Sequence, residues 1–310
     1  MIITASRRTD IPAFYSEWFA NRIKEGYVLA RNPRFGTNIS KIILRPDIVD
    51  CIIFVTKNPA GMLGKLGLLE SFNFLFQYTL NPYGPEIERG LPFLDARIDL
   101  FIELSGRIGK RKIVWRYDPV LLSEKIGPEF HIRNFESIAR RLKGHTEKCI
   151  ISFVDIYQSA KRRLERSGVR APDESEMITI AQGIASAAGS CGIKVATCAE
   201  AISLEKFGIG HGKCVDDELV SELFGLELRK GKNKPLRKDC ACAKSIDIGD
   251  YNTCRHECLY CYANFNCAAI RENVSRHRRG SPLLTGELDG SEKIFGGGTA
   301  EEKGANLPLF

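Results

Sequence analysis

No run of about 18 uncharged apolar residues occurs in the 310-residue sequence, so no segment reads as a membrane-spanning helix. The opening "MIITASRRTDIP" lacks the basic, apolar and small-residue order of a secretory signal and enters a strand-like segment directly, so a cytoplasmic protein is expected. Aromatic residues are missing from the three basic runs, "KRRLERSGVR" (161–170), "RKGKNKPLRK" (229–238) and "RENVSRHRRG" (271–280), which a base-stacking platform would need. With a net charge of only +7, these runs read as solvated faces ahead of a surface for nucleic acid or another anion.

The eleven cysteines do not read as a disulfide framework either, because such frameworks belong to small secreted chains. In a chain of this size without a leader, metal ligation or catalysis is the better reading. Cys51 and Cys149 lie in apolar runs and pack as small hydrophobes. The other nine fall in the C-terminal part, between residues 191 and 267, with Cys191 and Cys267 read as structural.

What is present is a rhythm of apolar runs: "IITAS" (2–6), "CIIFVT" (51–56), "NFLFQYTL" (73–80), "KIVWRY" (112–117), "CIISFVD" (149–155) and "IKVATCAE" (193–200). Near-continuous hydrophobic strands separated by helical patterns predict a parallel sheet covered on both faces. Helices are expected at 16–26, where Trp18, Phe19 and Ile23 form one stripe, and at 172–192, which opens acidic and ends at glycine. Six such units point to an α/β fold, a partial or complete (β/α) barrel of about six units, over residues 1–235. A cysteine-rich extension follows at 236–284, and a poorly ordered tail is expected at 285–310.

Asn58-Pro59, Asn81-Pro82 and Asp118-Pro119 each follow a strand, and Asp10 precedes Ile11-Pro12; all four read as cap or turn punctuation. In barrels the chemistry collects at the C-terminal strand ends, which here carry Arg7, Arg8, Asp10, Lys57, Gln77, Arg116, Asp118, Ser152 and Glu200. So dense a polar rim predicts a cavity for a polar ligand.

"YNTCRHECLYCYAN" (251–264) sets Cys254, Cys258 and Cys261 at C-x3-C-x2-C. Three uses are open. Cys240-x-Cys242 with Cys258-x2-Cys261 has the spacing of a four-thiolate zinc ribbon. Cys258 and Cys261 alone have that of a redox dithiol. All three have the spacing of a [4Fe-4S] cluster whose fourth iron stays open to a small molecule. Cys198, Cys214, Cys240 and Cys242 make a candidate second site for a further Fe-S cluster or zinc, and His256 is left unassigned.

With Tyr262 beside it, the triplet resembles the signature of radical S-adenosylmethionine (SAM) enzymes, and "FVTKNPAGMLGKLGLL" (54–69) resembles a strand-end segment of the spore photoproduct lyase type. "SRRTDIPAFYSEWF", "TKNP", "VWRYDP", "ISFVDIY", "TCAE" and "DIGDYNTCRHECLYCYAN" together look like domain-of-unknown-function family 1848, an uncharacterised family whose C-terminal cysteines have been likened to that cluster. The resemblance implies a radical-SAM-like barrel, a [4Fe-4S] cluster on the triplet, and SAM bound on its open iron. Arg7, Arg8, Lys57, Gln77, Arg116 and Asp118 are the candidates to bind SAM or substrate. It further implies a reductant such as flavodoxin or ferredoxin, and an unknown substrate, phosphate-bearing or nucleic acid. Radical SAM enzymes place the triplet after their first strand, whereas here it follows all six, so a circularly permuted attachment to the barrel mouth is expected. The alternative is a zinc-stabilised barrel with a binding or structural role.

Overall fold

In the computed structural model, which describes residues 1–228 and 239–296, the six apolar runs become six neighbouring strands of one parallel sheet. In chain order the strands are β1 (Ile2–Ala5), β2 (Tyr27–Arg31), β3 (Asn38–Ile43), β4 (Cys51–Thr56), β5 (Phe74–Thr79), β6 (Ile113–Val120), β7 (Lys148–Phe153), β8 (Lys194–Cys198), β9 (Gly210–Gly212), β10 (Ser245–Asp247) and β11 (Lys293–Phe295). The helices are α1 (Ile11–Phe14), α2 (Ser16–Glu25), α3 (Ala60–Leu63), α4 (Leu94–Ile108), α5 (Pro128–Leu142), α6 (Gln158–Arg166), α7 (Glu174–Cys191), α8 (Asp217–Phe224) and α9 (Cys267–Ser275).

The main sheet runs β10-β1-β4-β5-β6-β7-β8-β9, with every pair parallel. The order steps one way through the sequence from β1 to β9, and β10 joins the far side of β1. β9 and β10 stand at opposite ends, and no ladder joins them among the described residues. The fold is thus α/β with an eight-stranded parallel sheet.

Alternation along the strands divides the core. Ile3, Ile52, Phe54, Phe76, Tyr78, Trp115 and Ile151 point into the main core, with Phe101 of α4, Phe135 of α5 and Ile184 of α7. The intervening Ile2, Cys51, Ile53 and Leu75 pack against Val220 of α8 and against Val215, Cys242 and Ala243. The opposite face is therefore filled by α8 and the segment entering β10.

Both predicted helices form, α2 ending at the left-handed Gly26 and α7 between a capping box on Asp173 and the left-handed Gly192. Asp10 caps α1 by accepting from Ala13 N at 3.0 Å, and Asn58 accepts from Ala60 N at 3.2 Å. Asp118-Pro119 differs: it lies inside β6. The Asn81 amide donates to Asp118 O and accepts from Asp118 N, both at 2.9 Å, in place of a backbone partner there, and so prolongs the strand.

A second sheet, β11-β3-β2, pairs β2 and β3 antiparallel and β3 and β11 parallel. It changes the reading of the chain's end. Residues 285–296, expected within a loose tail, are fastened by β11, by a 3.2 Å Arg31–Glu292 ion pair and by Thr285 donating to Asp250 at 3.1 Å. The basic run 229–238, the boundary at 235/236 and residues 297–310 lie outside the described residues.

Candidate functional site

The triplet loop begins where β10 ends, at the head of the sheet beside β1, where Ile2 faces Ser245. Parallel pairing puts that end of β10 with the C-terminal ends of the other strands. The loop closes on Asn252, whose N–H donates to Ala263 O at 2.9 Å and whose side chain accepts from Phe265 N and Asn266 N at 2.9 and 3.1 Å. The Asn264 amide donates across it to Cys254 O.

Side chains from several elements hold this loop. Tyr15 OH donates to Thr253 O at 2.6 Å, Tyr262 OH to Arg7 O at 2.7 Å, and the Arg163 guanidinium to Cys261 O and Asn264 O at 2.7 and 2.6 Å. Arg163 belongs to a run read as a solvated face, yet it clamps two loop carbonyls. His256 is buried, 2% exposed, and its Nε2 pairs with Asp10 Oδ2 at 2.8 Å. Asp10 also accepts from Thr56 Oγ1 and Lys57 N, both at 2.7 Å, so one carboxylate ties α1, the end of β4 and the triplet loop. On the outer side Leu259 N donates to Ile87 O at 2.9 Å and Gly90 N to His256 O at 2.8 Å. A Cβ at Gly90 would stand 2.6 Å from Arg255 O, so the close approach requires glycine.

Lys57 is the rim cation that meets the loop. Its Nζ donates at 2.7 Å to Tyr260 OH and to Glu88 Oε1; Tyr260 OH donates to Glu88, and Arg97 pairs with the other Glu88 oxygen at 3.2 Å. Burial works against both charges, but Lys57 and Arg97 hold the Glu88 carboxyl below the usual carboxylate range, and Glu88 holds Lys57 above its ordinary value. Cys258 is buried, and Cys254 and Cys261 are half-buried. Burial pushes all three thiols up; Cys258 and Cys261 raise Cys254 further and Cys261 raises Cys258, while Lys57 lowers Cys258 and Cys261. All three thiols are thus poorly solvated.

The other candidate cysteines form a separate group. Cys214 and Cys242 Sγ lie 2.9 Å apart, Cys198 is hydrogen-bonded to both, and Cys240 to Cys242. Hydrogen bonds from Cys198 and Cys242 lower Cys214, and the one from Cys242 lowers Cys240 to about 6. Cys240 and Cys242 thus sit with Cys198 and Cys214 rather than with Cys258 and Cys261, against the ribbon-like pairing. Among the described residues no group of three or more His, Cys, Asp or Glu stands ready, as placed, to hold a metal ion.

The remaining rim candidates are engaged nearby. Arg116 pairs with Asp118 through Nε at 3.0 Å and through Nη2, and donates from Nη1 to Gln77 Oε1 at 2.9 Å; Ser152 donates to Asp118. Burial opposes these charges too, yet the pair keeps Arg116 above and Asp118 below their ordinary values. The Gln77 amide donates to Cys214 O, joining this network to the four-cysteine group. Arg7 N donates to Asp247 Oδ2 at 2.8 Å, and its guanidinium acts on Cys214 and Cys242. Arg8 Nη1 donates to Gly249 O at 3.3 Å and stacks over Tyr251 at 5.4 Å. Lys57 thus adjoins the triplet, Arg7 meets both the triplet loop and the other thiols, and Gln77 and Arg116 adjoin the other thiols, with Asp118 held behind Arg116.

A family model described as "Domain of unknown function (DUF1848)" matches residues 2–263, which span every strand of the main sheet and the triplet. No curated protein and no solved structure matches the chain.

Proposed function

We propose that this chain, which belongs to the DUF1848 domain-of-unknown-function family, is a radical SAM enzyme that holds a [4Fe-4S] cluster on Cys254, Cys258 and Cys261. One observation carries the reading. The triplet is late in the chain but follows β10, the strand at the head of the parallel sheet, as expected of a permuted attachment. The donor set fits: three thiols share one loop with Lys57 beside them, and four of the remaining cysteines are gathered elsewhere. When bound, a three-thiolate cluster offers an open iron that chelates SAM and supplies the electron for its reductive cleavage to a 5′-deoxyadenosyl radical.

The protein's own residues then bind, orient and shield. Asp10 and Arg163 fix the two ends of the cysteine spacing, through His256 and through the carbonyls of Cys261 and Asn264. The Lys57 ammonium offsets thiolate charge, and Glu88 and Tyr260 hold it in place. Arg116, committed to Asp118 and Gln77, positions the rim rather than meeting a ligand. Arg8 suits the carboxylate of SAM or a phosphate-bearing substrate.

Anaerobic reconstitution with iron and sulfide tests the reading. The expected product is brown, bleaches on dithionite reduction, and releases 5′-deoxyadenosine from SAM; Cys254→Ala, Cys258→Ala and Cys261→Ala each abolish both signals. A colourless wild type overturns it and leaves the zinc-stabilised alternative; a triple variant that still releases 5′-deoxyadenosine from SAM overturns it as well.

A further inference from the structure

The geometry points to a second, structural site: one zinc ion bound by Cys198, Cys214, Cys240 and Cys242, fastening together the two ends of the parallel sheet. The sulfurs come from three places. Cys198 ends β8, Cys214 follows β9, and Cys240-x-Cys242 leads into β10. Strands β9 and β10 are the sheet's two extremities, and among the described residues no backbone ladder spans them. Four thiols converge from both sides of that seam.

Their spacing selects the ligand. Zinc holds sulfur at about 2.3 Å in a tetrahedron, so its four sulfurs stand roughly 3.8 Å apart. Cys214 and Cys242 lie 2.9 Å apart as hydrogen-bonded thiols, so about 1 Å of opening with loss of the protons brings that pair to the edge of such a tetrahedron. A [4Fe-4S] cluster places each thiolate on a different iron and sets them much farther apart, so four sulfurs this close fit a single ion.

The surroundings fit a bound tetrathiolate. Val215 N–H donates to Cys242 Sγ at 3.4 Å, and Gln77 holds the Cys214 carbonyl. Arg7 and Arg116 both act on Cys214, where they offset the excess negative charge of four thiolates around a divalent ion. Val114, Ile150 and Leu219 pack as an apolar wall beside Cys198 and Cys214, while Cys240 lies on the half-buried side. This inference is independent of the chemistry proposed for the triplet.

The test uses the full chain carrying C254S, C258S and C261S, so that the triplet contributes no metal. After expression with zinc and dialysis, elemental analysis is expected to find about one zinc per chain. Adding Cys214→Ser and Cys242→Ser should lower that content at least tenfold while circular dichroism remains folded. Should those variants not fold, cobalt titration of the triplet-less chain decides: intense visible bands of a tetrahedral tetrathiolate support the site, and octahedral cobalt overturns it. Zinc-free folded protein, iron in place of zinc, or zinc that survives both substitutions also overturns it. Iron content in the intact chain reports on the triplet, so the two readings fail separately.

Discussion

Glu88 has a side chain fully enclosed between Lys57 and Arg97, and removing its charge strands two poorly solvated cations. Glu88→Gln is expected to cost about 3–5 kcal/mol, read from the urea midpoint at unchanged slope, and to lower iron uptake on reconstitution. His131 offers a pH test distant from the thiols. It is wholly buried, its Nδ1 pairing with Tyr117 OH at 2.9 Å and its Nε2 with Leu121 O at 2.8 Å, and burial lowers its pKa from 6.5 to about 4. The unfolded chain therefore takes up a proton first as pH falls. Stability is complete above about pH 6.5, declines toward pH 4, and loses about 3 kcal/mol in all; His131→Gln should flatten that part of the profile. The two kinds of residue differed in how well sequence announced them. Cysteines at C-x3-C-x2-C are legible because metal chemistry demands spacing, whereas Glu88, in "PYGPEIERG", gains its role only when the chain brings Lys57, Arg97 and Tyr260 to it. His256 was undecidable for the same reason, since its partner Asp10 lies at the other end of the chain.

The segment of residues 84–91 acts as an outer wall for the triplet loop, and Gly90 is its point of closest approach. Gly90→Val should push the loop outward, costing about 1–3 kcal/mol in thermal or urea unfolding and reducing the iron retained after reconstitution; full retention would show that the wall is dispensable. The six long strands were legible because burial on both faces demands unbroken apolar runs. β9, "GHG", and β10, "SID", were not, because three residues carry no pattern and owe their pairing to neighbours already in place. β2, β3 and β11 escaped notice too: they form a separate small sheet, and β11, exposed throughout, carries no core signal of its own.

Across the molecule, the sheet's two ends differ from its middle. β6 and β7 lie between strands paired on both sides, while β9 and β10 each have one partner in the sheet. Zinc at the seam predicts slower hydrogen exchange in β9 and β10 of the metal-loaded protein than in the chelated one, with β5 to β7 unchanged. The fold class and the one-way order of the strands could be read from the spacing of apolar runs. The placement of β10 beside β1 could not, since it pairs residues from opposite ends of the chain. That pairing sets a timetable for biosynthesis. Ile2 leaves the ribosome well ahead of its neighbour Ser245, which follows only after nearly the whole sheet, roughly 10–50 s later at ordinary elongation rates. Until then one edge of β1 is open to mispairing and the thiols of residues 254–261 have not been made, so the cysteine loop can take its place on the sheet only after the other seven strands of the main sheet are out.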